Sequence, residues 1–203
     1  MAGTMLSVNS SDIRNGRHNY HSVSGGDTGN NSSEKAASAV PVVCFVAAKS
    51  GTGKTTFLEK LIREMTERGY RIGVIKSDAH RFDIDKPGKD SWRFAEAGST
   101  ATAIIGPDKY AVIQKTETKK DIEEVIPMIE NVDIILVEGF KMSQRPRFEV
   151  VRRELGTEIV SPAENLLGVI TDVEDLAAPV PLIDLNDYVR VADIIISVFN
   201  LNQ

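Results

Sequence analysis

A single cysteine, Cys44, stands in the 203 residues of the chain. It lies inside an apolar run, so it reads as a small core residue. That excludes a disulfide framework and a cysteine-rich metal site. Histidine is scarce too, with three in all. Two of them, His18 and His21, sit in a polar leader with nothing to organise them into a metal site. Positive charge is in deficit: 24 Lys+Arg face 29 Asp+Glu, a net charge of −5. A generally basic surface for nucleic acid is therefore not expected. No apolar run approaches the length needed to span a membrane. The expected setting is cytoplasmic, without membrane or nucleic-acid partners.

What is present divides into two zones. Residues 1–38 are nearly half Ser, Asn and Gly and carry no periodic apolar pattern. Such a segment buries too little apolar surface to offset the entropy of ordering, so a disordered N-terminal extension is expected. It also lacks the continuous apolar centre of a signal peptide. Residues 39–203 have the composition of one ordinary globular domain.

The most informative stretch is Val42–Thr56, VVCFVAAKSGTGKTT. An apolar strand runs into a glycine-bearing turn, and Lys54 opens an amphipathic helix. Gly51 and Gly53 free the backbone to turn its N–H groups towards an anion, and the helix N-terminus adds unpaired donors. The pattern is a phosphate-binding loop, with Ala48 in place of the usual first glycine. Ser50, Gly51, Thr52, Gly53, Lys54, Thr55 and Thr56 are the expected nucleotide-binding residues. Lys54 can reach the β- and γ-phosphates, and Thr55 can give its hydroxyl to Mg²⁺.

The helix is expected over about 54–68, with Phe57, Leu58, Leu61, Ile62 and Met65 on one face. Gly69 stops it. Arg71–Lys76 is a second strand, and strand, helix, strand makes a right-handed parallel unit. The word KSDAHRFDIDKPGKDS (76–91) follows at the carboxyl end of that strand, where open α/β sheets bind ligands. Asp78, Asp83, Asp85 and Asp90 alternate there with Lys76, Arg81, Lys86 and Lys89. This is a candidate switch or substrate loop in which one aspartate holds Mg²⁺ through water. A solvated surface loop would have the same composition.

Residues 101–105 and 110–114 read as a hairpin across Gly106-Pro107-Asp108-Lys109. Residues 119–129 read as a helix with Ile122, Val125, Ile126 and Ile129 inward. VDIILVEGF (132–140) is a buried strand ending in an acid at Glu138 and then Gly139. A carboxylate there can contact the Mg²⁺ shell, and the Gly139 N–H can approach a γ-phosphate. Lys54 and Glu138 are the candidate catalytic residues, and Thr55, Asp78 and Glu138 the candidate metal ligands. Lys141, Arg145 and Arg147 follow as possible anion contacts or as a solvated basic loop. Strands are expected at 148–151 and 166–170. The second ends in Thr171-Asp172, a degenerate echo of a guanine-reading loop, which makes Asp172 a nucleotide-binding candidate. Residues 187–201 close the chain as a helix.

The words FVAAKSGTGKTTFLEKLI, RIGVIK, FDIDKPGKDSWRFAEAG, VDIILVEGFK and PRFEVVR together resemble the molybdopterin-guanine dinucleotide biosynthesis protein B family. The DIDKPGKDS word is the most specific of them. The resemblance implies an α/β P-loop NTPase of the SIMIBI type. Its central sheet is mostly parallel and flanked by helices, with the hairpin added. It implies a homodimer that binds GTP with Mg²⁺ and hydrolyses it slowly. It also implies an adapter role: a separate molybdenum cofactor nucleotidyltransferase attaches GMP to molybdopterin, and this family assists. Asp83, Asp85, Lys86, Lys89 and Asp90 would face nucleotide and cofactor. One departure is plain: the family commonly carries K-H-T-H-H after its second strand, whereas this chain has Lys76-Ser77-Asp78-Ala79-His80. Only His80 remains of those histidines, and Asp78 is expected to take their place as an oxygen ligand. Two other readings use the same motifs, an ATP-dependent small-molecule kinase or ligase and a ParA/MinD-like regulatory ATPase with Lys49 reaching a partner's nucleotide.

Overall fold

In the computed structural model the described residues are 40–77, 82 and 84–201. The proposed extension (1–38), Asp78, His80 and Asp83 lie outside them. Six parallel strands form the central sheet. They are β1 (Val42–Val46), β2 (Ile72–Lys76), β5 (Ile134–Glu138), β6 (Arg147–Val151), β7 (Leu166–Thr171) and β8 (Leu182–Asp184). Their order is β2-β5-β1-β6-β7-β8. Strands β3 (Ala101–Ile105) and β4 (Tyr110–Gln114) pair separately as the expected antiparallel hairpin.

Burial follows from that order. β1 lies between β5 and β6 and is buried along its whole length. A strand covered on both faces reads as a continuous apolar run, and VVCFV is one. Val43 and Phe45 join α1 (Lys54–Glu67) and α4 (Tyr188–Phe199) on one face, through Phe57, Leu58, Leu61, Met65, Val191 and Ile195. Val42, Cys44 and Val46 face the other way, towards Ile135, Val137 and Ile122. Cys44 is the core residue its neighbours suggest, and burial pushes its thiol pKa up.

Two elements differ from the sequence expectation. The helix expected over 119–129 is only α3 (Ile122–Val125), followed by a 3₁₀ turn at Ile126–Met128. Asp121 starts it late with a capping box to Glu124, and Pro127 cannot continue the α-helical hydrogen bonding. β8 was not foreseen; three residues after Pro181 carry no readable period. On α4, Val191, Ala192 and Ile195 are buried and Val198 is exposed.

The edge strand β2 is clamped at its start. Arg71 meets Asp133 through two guanidinium nitrogens and its own backbone N–H. At Gly168 a Cβ would stand 2.8 Å from Ile183 Cδ1 and 3.2 Å from Phe148 Cε1. β7 must therefore carry glycine there for β8 to close against it. Gly168→Ala should lower unfolding stability by about 1–3 kcal/mol through overpacking; a urea midpoint equal to wild type would show that β8 yields freely.

Candidate functional site

The phosphate loop leaves the carboxyl end of β1 and turns into α1. Gly51 and Gly53 adopt φ of +77° and +86°, and Gly53 is the helix N-cap. Both angles favour glycine. No side chain caps α1, so its first N–H groups remain open to an anion.

In a parallel sheet every carboxyl end lies at the same edge, and β5 is next to β1. Glu138 therefore ends beside Phe45 and, on the other side, beside Lys76. Thr55 Oγ1 donates to Glu138 Oε1 at 2.9 Å, and Lys76 Nζ lies 3.0 Å from the same oxygen. Two candidate metal ligands 83 residues apart thus meet directly. Oxygen donors of this kind suit Mg²⁺, which keeps several waters and takes the rest of its shell from one or two protein groups and phosphates. Among the described residues there is no cluster of three or more His, Cys, Asp or Glu.

A cavity of about 850 Å³ opens over the loop. Among the described residues its charged lining is Lys49, Lys54, Lys76, Lys119 and Lys141 against Glu138. A chain of net charge −5 has gathered positive charge at one place. Lys141 also donates to the Ala48 carbonyl at 2.8 Å, tying the segment after β5 to the phosphate loop.

The expected site residues separate into groups. Ser50, Gly51, Lys54 and Glu138 line the cavity. Thr56 is exposed in the first turn of α1. Thr52 is buried beneath the loop, and its Oγ1 has no hydrogen-bond partner. Gly139 was expected to offer its N–H to a phosphate; that N–H instead donates to the Phe45 carbonyl at 2.9 Å and extends the β1–β5 ladder. Asp172 accepts from the Arg153 N–H at 2.8 Å, and Arg152 Nε lies 3.2 Å from its other oxygen. The Arg153 N–H, then the arginine charges, hold its carboxyl below the usual range. The carboxylate is thereby committed to its own chain.

The charged loop forms a different neighbourhood. Asp85 accepts from Ser91 Oγ at 2.8 Å, and Lys86, Lys89 and Asp90 are exposed. Asp90 opens α2 (Asp90–Glu96) and borders a second hollow of about 360 Å³ between α2 and β3. None of these residues lines the larger cavity.

The sequence reading missed what Arg147 and Glu149 do. Alternate residues of a strand share a face, and both are fully buried on β6. Arg147 was expected among possible anion contacts. Its guanidinium instead donates to the carbonyls of Lys141, Ser143 and Arg145. Arg145, also in that expected set, pairs with Glu123 at 2.6 Å. Glu149 accepts the Val160 and Ser161 N–H groups at 2.9 and 2.8 Å. Two charged residues between apolar neighbours in RFEVV were the available signal.

The family model for molybdopterin guanine dinucleotide synthesis protein B matches residues 42–172. A molybdopterin-guanine dinucleotide biosynthesis adapter protein from Haemophilus influenzae is 35% identical over 152 residues, covering 74% of this chain and 85% of that protein. The protein of the same name from Escherichia coli is 36% identical over 163 residues, covering 77% and 92%. A solved structure of Bacillus subtilis MobB superposes with a TM-score of 0.62 at 22% identity, covering 80% of this chain and 98% of that one; it supports the fold.

Arg147→Met removes the donors that three loop carbonyls share. It should destabilise the protein by about 2 kcal/mol or more. An unchanged urea midpoint would mean that water replaces the guanidinium at no cost.

Proposed function

Because the chain belongs to the molybdopterin guanine dinucleotide synthesis protein B family, we propose that it is a GTP-binding adapter in molybdenum cofactor maturation. It assists a nucleotidyltransferase that joins GMP to molybdopterin, and it does so in the cytoplasm, where GTP is at hand. The observation that carries nucleotide binding is the Thr55–Glu138 contact beneath a cavity lined by lysines. Ser50–Thr56 hold the phosphates. Thr55 and Glu138 hold Mg²⁺, which would neutralise phosphate charge when bound. Asp78 is a further oxygen donor proposed for the same ion, and it lies outside the described residues. Hydrolysis is slow in this reading: Lys54 and Mg²⁺ offset phosphate charge, and no strong general base is assigned among the described residues.

The resemblances favour GTP, and Asp172 is not needed for that choice while its carboxylate serves Arg153 and Arg152. The loop around Asp85, Lys86, Lys89 and Asp90 is proposed to face cofactor or partner. The homodimer is proposed to form through the hairpin. Ile105 is 85% exposed, Tyr110 73% and Val112 62%. A two-stranded sheet is marginal alone and leaves both edges open; a second copy would cover them.

Calorimetric titration with GTP and ATP, each with Mg²⁺, tests the nucleotide assignment. GTP should bind more tightly, Lys54→Ala should abolish tight binding with the fold intact, and Asp78→Ala should reduce the gain from Mg²⁺. Preference for ATP would move the protein to the kinase or ParA/MinD-like readings. Sedimentation equilibrium tests the assembly. The wild type should be dimeric and Val112→Glu monomeric; a dimer that survives in Val112→Glu would place the contact elsewhere.

A further inference from the structure

One carboxylate oxygen at the base of the cavity serves two donors. Glu138 Oε1 accepts the Thr55 hydroxyl at 2.9 Å and faces the Lys76 ammonium at 3.0 Å. The carboxylate is largely buried and the lysine is not, with side-chain exposures of 14% and 59%. A mostly buried carboxylate needs a counter-charge, and Lys76 supplies it. The pairing is built in by register, because Lys76 and Glu138 are aligned as the last residues of neighbouring parallel strands. The same oxygen, beside the Thr55 hydroxyl, is what a divalent cation would take.

We propose that Lys76 is the metal-free counter-ion of Glu138 and sets the magnesium dependence of nucleotide binding. The inference rests on the nucleotide-and-Mg²⁺ reading of this site. An ammonium and a divalent cation cannot share one carboxylate oxygen at ion-pair distance without strong repulsion. Mg²⁺ therefore binds in competition with Lys76. Without the metal, Lys76 cancels the Glu138 charge that would otherwise repel the phosphates. With the metal, Lys76 is released inside a cavity lined also by Lys54 and Lys49, and a terminal phosphate becomes its new counter-charge. Lys76 is thus a positioning and specificity residue that favours a triphosphate over a diphosphate.

The bland alternative is that Lys76 only ties down the edge strand β2. Titrations with GDP and GTP, in EDTA and in Mg²⁺, separate the two for wild type, Lys76→Met and Lys76→Arg. The quantity read is the ratio of Kd without metal to Kd with metal. For GDP, Lys76→Met should raise that ratio roughly fivefold, the upper range for an exposed ion pair. It should also reduce the preference for GTP over GDP in Mg²⁺, while Lys76→Arg stays near wild type. A ratio unchanged in Lys76→Met, with wild type binding nucleotide normally, overturns this inference alone. Absence of nucleotide binding in the wild type overturns the proposed function and this inference with it. A loss of thermal stability in Lys76→Met with unchanged ratios would assign Lys76 to the strand edge.

Discussion

The parallel alignment of β1, β2 and β5 is the constraint on which the site depends. Parallel strands deliver all their carboxyl ends to one edge. β1 arrives there with the phosphate loop, β5 with Glu138 and β2 with Lys76. No single segment contains the site. A shift of β5 by one residue would turn the Glu138 side chain to the opposite face and break its contact with Thr55. The buried runs VVCFV and IILV therefore do more than fill the core. Their packing sets the register that brings hydroxyl, carboxylate and ammonium to one oxygen.

The charges within the sheet obey a different logic from those in the cavity. Arg147 and Glu149 are placed in β6 where apolar residues would pack more simply. Each is compensated by backbone groups of a neighbouring loop, three carbonyls for Arg147 and two N–H groups for Glu149. The loop held by Arg147 contains Lys141, which reaches the Ala48 carbonyl. Phe140 in the same loop has φ of +67°, a conformation uncommon for a bulky residue. A buried cation that gathers carbonyls can hold such a backbone in place. The effect is to tie one wall of the cavity to β6 through three carbonyls and to the phosphate loop through Lys141.

Elements with a clear period were legible in the chain. The α1 face of Phe57, Leu58, Leu61 and Met65 needed only the helical spacing, and the hairpin at Gly106-Pro107 needed only turn chemistry. β8 was not legible because three residues carry no period. The length of α3 was overstated because apolar spacing was weighed above Pro127 and the Asp121 cap. Within the site, the phosphate loop and Glu138 could be read from local words. The fates of Gly139 and Asp172 could not. Each depends on a backbone partner distant in sequence, Phe45 for Gly139 and Arg153 for Asp172.

That difference bears on how the site selects a ligand. The loop, the helix end and the lysines read the charge of the phosphates. Base choice requires a donor or acceptor at the proper place, and the Asp172 carboxylate accepts from the Arg153 N–H and lies 3.2 Å from Arg152 Nε. The Thr55 hydroxyl and the Lys76 ammonium meet at one oxygen of Glu138, whereas the carboxylate nearest to a guanine-reading role contacts the backbone of Arg153. Under the proposed function, discrimination by metal and terminal phosphate is the task that this meeting of three groups at one sheet edge would serve.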